Sequence, residues 1–527
     1  MKELIEAMVS NPGEFIHLIS ENLDILSPKD AAYLDSIDPL KKLHDLFEYG
    51  SLTPFAAHSL GPVFKPALKE IERINNLQTT QLHEGHFSET HEQSGNWFDC
   101  DIEEDAVKAM QAILGFSETY EFLYTQEGLS SNLGRLIDTF YRPTLADWQS
   151  GKTQICHLGK EFFSDQAIIE SILKRGIQTA KNFGVFFTNH NLIPNPTSLT
   201  LKILPDEKGL YNEEEIIAFI KMRADKIQIL HLSDIVFSTG QRLDMNHILT
   251  ELKDVIAKHR IIVGLDLAHT VGNRILNLNK LPVTYAVGCS YKHICGSAGS
   301  GFGIYVNKNT DLGKYPPIQG WKAAASEKIF GLIDDFDAKI MMQKGAWAFR
   351  CSNPSPVALA PVKTYMKTMS QIGWDKLIAK SECLTRYMYA LLQQFLGDKI
   401  EWITPVDPKR RGAMLVFRVK EISDVRQIET GLKQSNKLGQ FEIDVRPPNN
   451  IRVTAHYGYT QFIDIHKMVS RLTQVVNLLL EQKKVERLSL STVKQRGKDR
   501  FFEKQVISGN ANPTSPQVQT EIENFTP

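Results

Sequence analysis

Between about residues 100 and 310, short apolar runs alternate with stretches whose apolar positions recur every three to four residues. That is the pattern of strands and amphipathic helices taken in turn. Four runs read as strands: Ile227–Leu232, Ile261–Leu265, Val283–Cys289 and Phe302–Val306. Between the first two, Ile248, Leu249, Leu252, Val255 and Ile256 keep helical spacing, which gives a strand–helix–strand unit. Repeated units of this kind build a mostly parallel sheet with helices on both faces, so the predicted class is α/β. From about 355 to 480 the texture changes. A long helical stretch through Trp374–Phe395 precedes strand candidates at Met414–Val419 and Ile451–Val453 and a closing helix through Ile465–Leu480. This predicts a second, smaller α+β C-terminal domain. The expected divisions are an N-terminal segment over 1–60, a large domain over 61–340, a small domain over 341–485 and a polar tail over 486–527. The tail, rich in Ser, Asn, Gln and Thr with little periodicity, is expected to be disordered.

Composition narrows the chemistry more than the fold. The chain of 527 residues is 42% hydrophobic and 23% charged, values close to those of ordinary globular proteins. Sixty basic residues against 61 acidic ones leave a net charge of −1, so nothing in the overall balance favours nucleic acid or a membrane surface, and a small-molecule ligand is expected. The six cysteines form no CxxC pair, so neither a zinc site nor a disulfide framework is predicted, and no metal site is expected. Glu3, Glu6 and Glu14 interrupt the first twenty residues, which speaks against a signal peptide. No run reaches about 18 apolar residues, so a cytoplasmic protein without a membrane span is expected.

Candidate chemistry gathers around one stretch. Asp266 ends an apolar strand, His269 follows it by three residues, and Lys292 stands between the small-residue run AVGCSY and the glycine-rich CGSAGSGFG. In open α/β sheets ligands collect at the carboxyl ends of the strands, where Asp266 lies. A buried carboxylate there needs a cation or a donor, although an Asp in that place also caps turns. A partly dehydrated lysine is available as a nucleophile. The glycines at 296, 299, 301 and 303 precede no Gly-Lys-Ser/Thr and do not sit between a first strand and its helix, so they are neither a P-loop nor a dinucleotide fingerprint. Close backbone packing beside the lysine explains them better. An Asp for a pyridinium nitrogen and a Lys for an aldehyde, 292 − 266 = 26 residues apart, are the two protein groups that pyridoxal phosphate requires.

Asp266-Leu-Ala-His269-x-x-Gly272-Asn273 followed by Ser290-Tyr291-Lys292 resembles the kynureninases, members of the aspartate aminotransferase-like pyridoxal phosphate enzymes. Further pieces agree in order: Ser59-Leu60-Gly61, Phe162-Phe163-Ser164-Asp165, Ser233, Thr239-Gly240-Gln241, Gly320-Trp321, Phe349 to Pro354 and Ile451-Arg452-Val453. The resemblance covers about residues 30–480. It implies a large pyridoxal phosphate-binding domain with a seven-stranded, mostly parallel sheet, and a homodimer. Lys292 would bond the cofactor aldehyde, Asp266 would pair with the ring nitrogen and His269 would lie beside both. Phe162 would stack on the ring, with Phe163, Ser164 and Asp165 around it. Leu129 and Ser130 fall where the family has a Leu-Thr pair against the cofactor. Ser233, Tyr291, Trp321 and Asn353 match positions around the phosphate or near the cofactor, some of them reaching across the dimer interface. Arg452, with Asn353, would take the substrate, the arginine through its α-carboxylate, and Tyr291 would supply a proton late in the reaction.

The implied activity is hydrolysis of L-kynurenine, 3-hydroxy-L-kynurenine or both, giving L-alanine and anthranilate or its 3-hydroxy form, a step of tryptophan catabolism and NAD biosynthesis. Departures fall on the substrate side: Ala57-His58 for Gly-Asn, Phe163 for Pro, Lys-Ala-Ala-Ala over 322–325, and a long stretch from Leu82 to Trp97. His83, His86 and His91 in that stretch are all open as the substitute for the family's substrate-contacting histidine, and His91 is the candidate taken forward. Two other readings remain: a related enzyme of the same fold, such as a cysteine desulfurase or a transaminase, or a catalytically weak cofactor-binding relative that acts as a binding protein.

Overall fold

In the computed structural model, residues 27–86, 104–182, 196–324, 343–446 and 449–507 are described. The chain divides into one compact unit, Met1–Thr473, and a second, Gln474–Pro527.

The first unit is built on a seven-stranded sheet: β1 Phe122–Leu123, β2 Gln154–Leu158, β3 Thr200–Ile203, β4 Ile227–Ser233, β5 Ile262–Asp266, β6 Tyr285–Gly288 and β7 Gly303–Val306. Their order across the sheet is β1-β7-β6-β5-β4-β2-β3. The run from β6 to β3 is parallel throughout, while β7 runs antiparallel to both β6 and β1. A parallel return needs a crossover of a dozen or more residues, usually through a helix. Residues 289–302 contain no helix, so the chain comes straight back as an antiparallel strand. The predicted strands are thus present, with boundaries that differ by at most two residues.

Every residue of β4 and β5 is buried, as expected for strands covered on both faces. Successive residues serve opposite faces. Leu230, Leu232, Val263 and Leu265 enter one apolar cluster, while Ile229 and Ile262 enter the other with Tyr285 and Val287. On the second face lie helices α1 (Leu129–Phe140) and α2 (Phe163–Asn182), which supply Leu133, Leu136, Ile169 and Leu173 to it. The helix expected between β4 and β5 is two short ones, α3 Met245–Glu251 and α4 Lys253–His259, broken at Leu252.

The later section carries α5 Pro356–Ile372, α6 Trp374–Leu396 and a second sheet, wholly antiparallel: β8 Ile400–Trp402, β9 Met414–Val419, β10 Asp444–Arg446 and β11 Asn450–Thr454, in the order β8-β9-β11-β10. Leu52–Pro54 pairs in parallel with Gln440–Glu442 and brings the His58-Ser59 turn beside β11.

The closing helix, α7, runs from Phe462 to Ile507, and its residues from Gln474 onward fall in the second unit. This corrects the expectation of a disordered tail from 486. Lys, Arg, Glu and Gln dominate the stretch through Gln505, and although polar they are good helix formers. Residues 508–527 of that tail lie outside the described residues. No helix among the described residues is long and apolar enough to cross a membrane.

Candidate active site

β4 and β5 end side by side, with Ser233 in register with Asp266, and the β6–β7 loop bends over these ends. A cleft of about 170 Å³ opens there, lined by Leu129, Ser130, Phe162, Asp165, Ser233, Asp266, His269, Tyr291, Lys292 and Arg452, joined by His58, Ser59 and Phe237 among others. Ten positions singled out from the sequence therefore meet in one place.

The lysine is held by its backbone. Tyr291 O accepts from Gly61 N at 2.7 Å, and His293 O accepts from Tyr365 Oη at 3.1 Å and from His456 Nε2 at 2.9 Å. Three of the four glycines pack as expected: a Cβ on Gly296 would lie 2.6 Å from the Ser290 and Ser300 hydroxyls, one on Gly301 would strike the backbone at Thr125–Glu127, and one on Gly303 would strike Leu123 O, whereas Gly299 has open space and a φ of +74°. The Lys292 amine lies 3.1 Å from His269 Nε2. Burial, and after it the nearby Lys292, keeps the His269 imidazole well below its ordinary pKa, so the ring is neutral and accepts from the amine.

Asp266 closes a turn and faces the cleft. Its Oδ1 accepts from Ala268 N at 2.8 Å, closing the turn, while the carboxyl group also lines the cleft. Behind it stand two more acids. Glu161, Asp165 and Asp266 bring carboxylate oxygens within 4.8 Å of one another, all buried. Burial, then Asp165 and Glu161, raises the Asp266 pKa, with Lys292 opposing. Burial, then Asp165, pushes Glu161 up to about 7, against a 2.6 Å hydrogen bond from Ser233 Oγ. His231 faces Asp165 Oδ2 at 3.5 Å. Burial alone would lower that imidazole, but the Asp165 carboxylate outweighs it and raises the pKa.

At the other end Arg452 is buried in β11, directly across from Asp444 in β10. Its Nη2 donates to Asp444 Oδ2 at 2.6 Å and to Ser59 Oγ at 3.1 Å, and its Nη1 to Phe237 O at 2.9 Å. The buried His58 ring sits beside this pair, Nδ1 2.8 Å from Thr454 Oγ1 and Nε2 3.8 Å from Asp444, and burial holds it neutral.

Six buried polar atoms in or just behind the cleft have no hydrogen-bond partner in the protein: His58 Nε2, Glu161 Oε2, both Asp165 carboxylate oxygens, His269 Nδ1 and Arg452 Nε. Each such orphan costs about 1–3 kcal/mol unless a partner meets it. The cleft is thus acidic at one end and cationic at the other, with an amine between. That donor set fits a cofactor with a protonated ring nitrogen and an aldehyde, together with a substrate carboxylate.

Several positions lie elsewhere. Phe163, the first residue of α2, is 79% exposed and is not in the cleft wall, in contrast to its expected place among the cofactor contacts. Ser164 reaches the cleft only through Ser130, their hydroxyls 2.5 Å apart. Trp321 is 41% exposed and not in the wall, and Asn353 lines a separate cavity beside Cys351 and Arg135. Neither meets the cleft of its own chain. His91 lies outside the described residues. Glu161 and Asp444 are the residues that sequence reasoning missed. Nothing local marks either, because each acquires its partner from a distant or neighbouring strand.

Comparison with known proteins agrees with the motif resemblance. Residues 377–472 match the family model for the kynureninase C-terminal domain. The chain is 29% identical to kynureninase 2 of Phaeosphaeria nodorum over 391 residues, 73% of each chain. It is 28% identical to the kynureninase of Xanthomonas axonopodis pv. citri over 456 residues, 85% of this chain and 98% of that one. Among solved structures, the cysteine desulfurase CsdA from Escherichia coli superposes with a TM-score of 0.61 at 12% identity, covering 83% of this chain and 98% of the other. A C-DES variant with glycine covalently linked to the PLP cofactor gives 0.59 at 17% identity, covering 80% and 97%. These two share the fold.

Proposed function

We propose that this kynureninase-like chain is a pyridoxal phosphate enzyme that hydrolyses the Cβ–Cγ bond of L-kynurenine, 3-hydroxy-L-kynurenine or both, releasing L-alanine and the matching anthranilate. The observation that carries the reading is the meeting of Asp266, His269, Lys292 and Arg452 in one cleft. When bound, pyridoxal phosphate supplies an aldehyde for the substrate amine and a ring that withdraws negative charge from Cα.

The chain's own residues do the rest. Asp266 holds the ring nitrogen protonated, and Phe162, already edge-on to Phe237 at 5.3 Å, offers a ring face. Leu129 and Ser130 open α1, and a helix N-terminus favours the phosphate. Arg452 binds the α-carboxylate. Asp444 and Phe237 O fix its guanidinium, and Nε is left without a protein partner. His58 and Ser59 flank that arginine and meet the substrate beside it. Lys292 Nζ takes the Cα proton, with the neutral His269 ring orienting the amine. Water adds to the aryl ketone carbon, the aryl acid leaves, and Tyr291 Oη protonates the remaining β-carbon. Burial raises the Tyr291 pKa, so the phenol keeps its proton until that step.

The family further suggests a cytoplasmic homodimer in tryptophan catabolism, with Trp321 and Asn353 serving the cleft of the partner subunit. A desulfurase needs a nucleophilic cysteine at the substrate. Among the described residues none lines the cleft: Cys383 is buried in α6, and Cys351 lies by Asn353. The test is direct. Purified protein should absorb in the visible region and release anthranilate from kynurenine, and Lys292→Ala should abolish turnover. Full turnover by that variant overturns the mechanism.

A further inference from the structure

Ile235, which lines the cleft, also lines a second cavity of about 280 Å³ between the β4 and β5 ends and helix α6. Four arginines form its wall: Arg242, Arg274, Arg386 and Arg411. Two of them are fixed in place. Arg274 is buried, with Nη1 2.6 Å from Asp234 Oδ1 and Nε without a partner. Arg411, also buried, donates through Nη1 to Pro405 O and Val406 O at 3.2 and 3.1 Å and stacks over Tyr389, 4.4 Å from the ring centroid. Neutral partners orient it, and among the described residues no carboxylate forms an ion pair with it, although Asp407 favours its charge from further off.

The other two are half-buried and unpaired. Among the described residues neither Arg242 nor Arg386 forms an ion pair, and Arg386 Nε is buried without a hydrogen bond. Burial and the neighbouring Arg274 weigh against the Arg242 charge and together outweigh Asp234, Glu382 and Asp244, which support it without pairing with it. The wall holds two acids, Asp375 and Glu382, both exposed, and neither pairs with a guanidinium within 4.0 Å. Among the described residues only Arg274 of the four has an ion pair, so three unpaired guanidiniums repel one another at this cavity, and a cluster of this kind is stabilised when an anion bridges them.

We propose that this cavity binds a small polyanion carrying at least two carboxylate or phosphate groups, at a site distinct from the cofactor cleft. Planar guanidinium forks match both groups in bidentate fashion, and three forks without an ion pair favour a ligand with more than one such group. The volume lies near the small end of ligand pockets, which fits a compact organic acid or a pyrophosphate group. Ile235 is the one residue common to both walls, so a ligand here leaves the cofactor residues uncovered. The wall also touches the cleft's frame, because Asn273 Nδ2 donates to His269 O at 3.0 Å and Asn273 Oδ1 accepts from Ala413 N at 3.1 Å.

The experiment is calorimetric titration of citrate, and separately of inorganic pyrophosphate, into the full-length, cofactor-loaded protein at constant ionic strength. At least one should bind saturably with one site per chain, and which one binds tells carboxylate from phosphate recognition. Arg242→Gln and Arg386→Gln, chosen because both side chains are half-buried and outside the buried Arg274–Asp234 pair, should each weaken that binding about tenfold or more, as loss of a charge-assisted hydrogen bond does. Arg452→Gln, in the cofactor cleft, should leave it unchanged. No saturable binding of either probe up to about 10 mM, where millimolar affinity would show, overturns the proposal. So does binding that Arg452→Gln abolishes and the other two variants leave intact. Neither outcome depends on turnover of kynurenine.

Discussion

Glu161 is buried, accepts from Ser233 Oγ at 2.6 Å and faces Asp165, whose two oxygens lack donors. Its pKa is raised from 4.5 to about 7, by burial first and by Asp165 second. In the folded protein the group holds its proton more tightly than in the unfolded chain. Below about pH 4.5 both states are protonated and the group has no effect, and stability then falls as pH rises through about 7. At about 1.4 kcal/mol per unit, the shift of 7 − 4.5 costs roughly 3 kcal/mol above pH 7. Glu161→Gln keeps an oxygen for Ser233 and turns an amide toward Asp165, so cofactor-free Glu161→Gln should be more stable than the parent at about pH 8 by up to roughly 3 kcal/mol. By about pH 5.5 that gap should shrink by roughly 2 kcal/mol. Urea midpoints at the two pH values measure it. A gap that does not change with pH, or a variant less stable at pH 8, would refute the claim that Glu161 resists ionisation.

Asp266→Asn should weaken cofactor affinity, read by fluorescence titration, because a neutral amide no longer favours a protonated ring nitrogen; unchanged affinity and spectrum would count against the assignment of that end of the cleft. Arg452→Gln should raise KM about tenfold or more with a smaller change in kcat, the mark of lost substrate binding, since a charged hydrogen bond is worth about 1.5–3 kcal/mol. Lys380→Met removes the cation 2.7 Å from buried Asp38 and should destabilise the fold by about 3–5 kcal/mol, measured by urea unfolding at pH 7, because it strands a carboxylate. Lys380→Met together with Asp38→Leu should recover most of that loss.

The acid and amine of the cleft were legible because both sit in local patterns: an apolar strand that ends on a carboxylate, and a lysine among small residues. The reversal of β7 was not, since strand periodicity says nothing about direction and only the absence of a helix between 289 and 302 decides it. Glu161 was hidden because its burial depends on Ser233, 72 residues further on, and a glutamate beside a lysine reads as surface. Trp321 and Asn353 came from motif order alone, which fixes residue identity and not which cleft a side chain serves. In α7 polarity was mistaken for lack of structure, although the same residue types are favourable helix formers.

Asp266 and Lys292 hang from adjacent strands of one sheet: Asp266 is in register with Val287 of β6, and Lys292 follows that strand by four residues. Their separation is set by the pairing of β5 with β6 and by the bonds from Gly61, Tyr365 and His456 to the lysine's neighbours, so it acts as a fixed gauge. Arg452 belongs to a different sheet, carried by β9 and β10. A longer or shorter substrate would therefore find its tolerance at the carboxylate end, where two frameworks meet, and none between the acid and the amine.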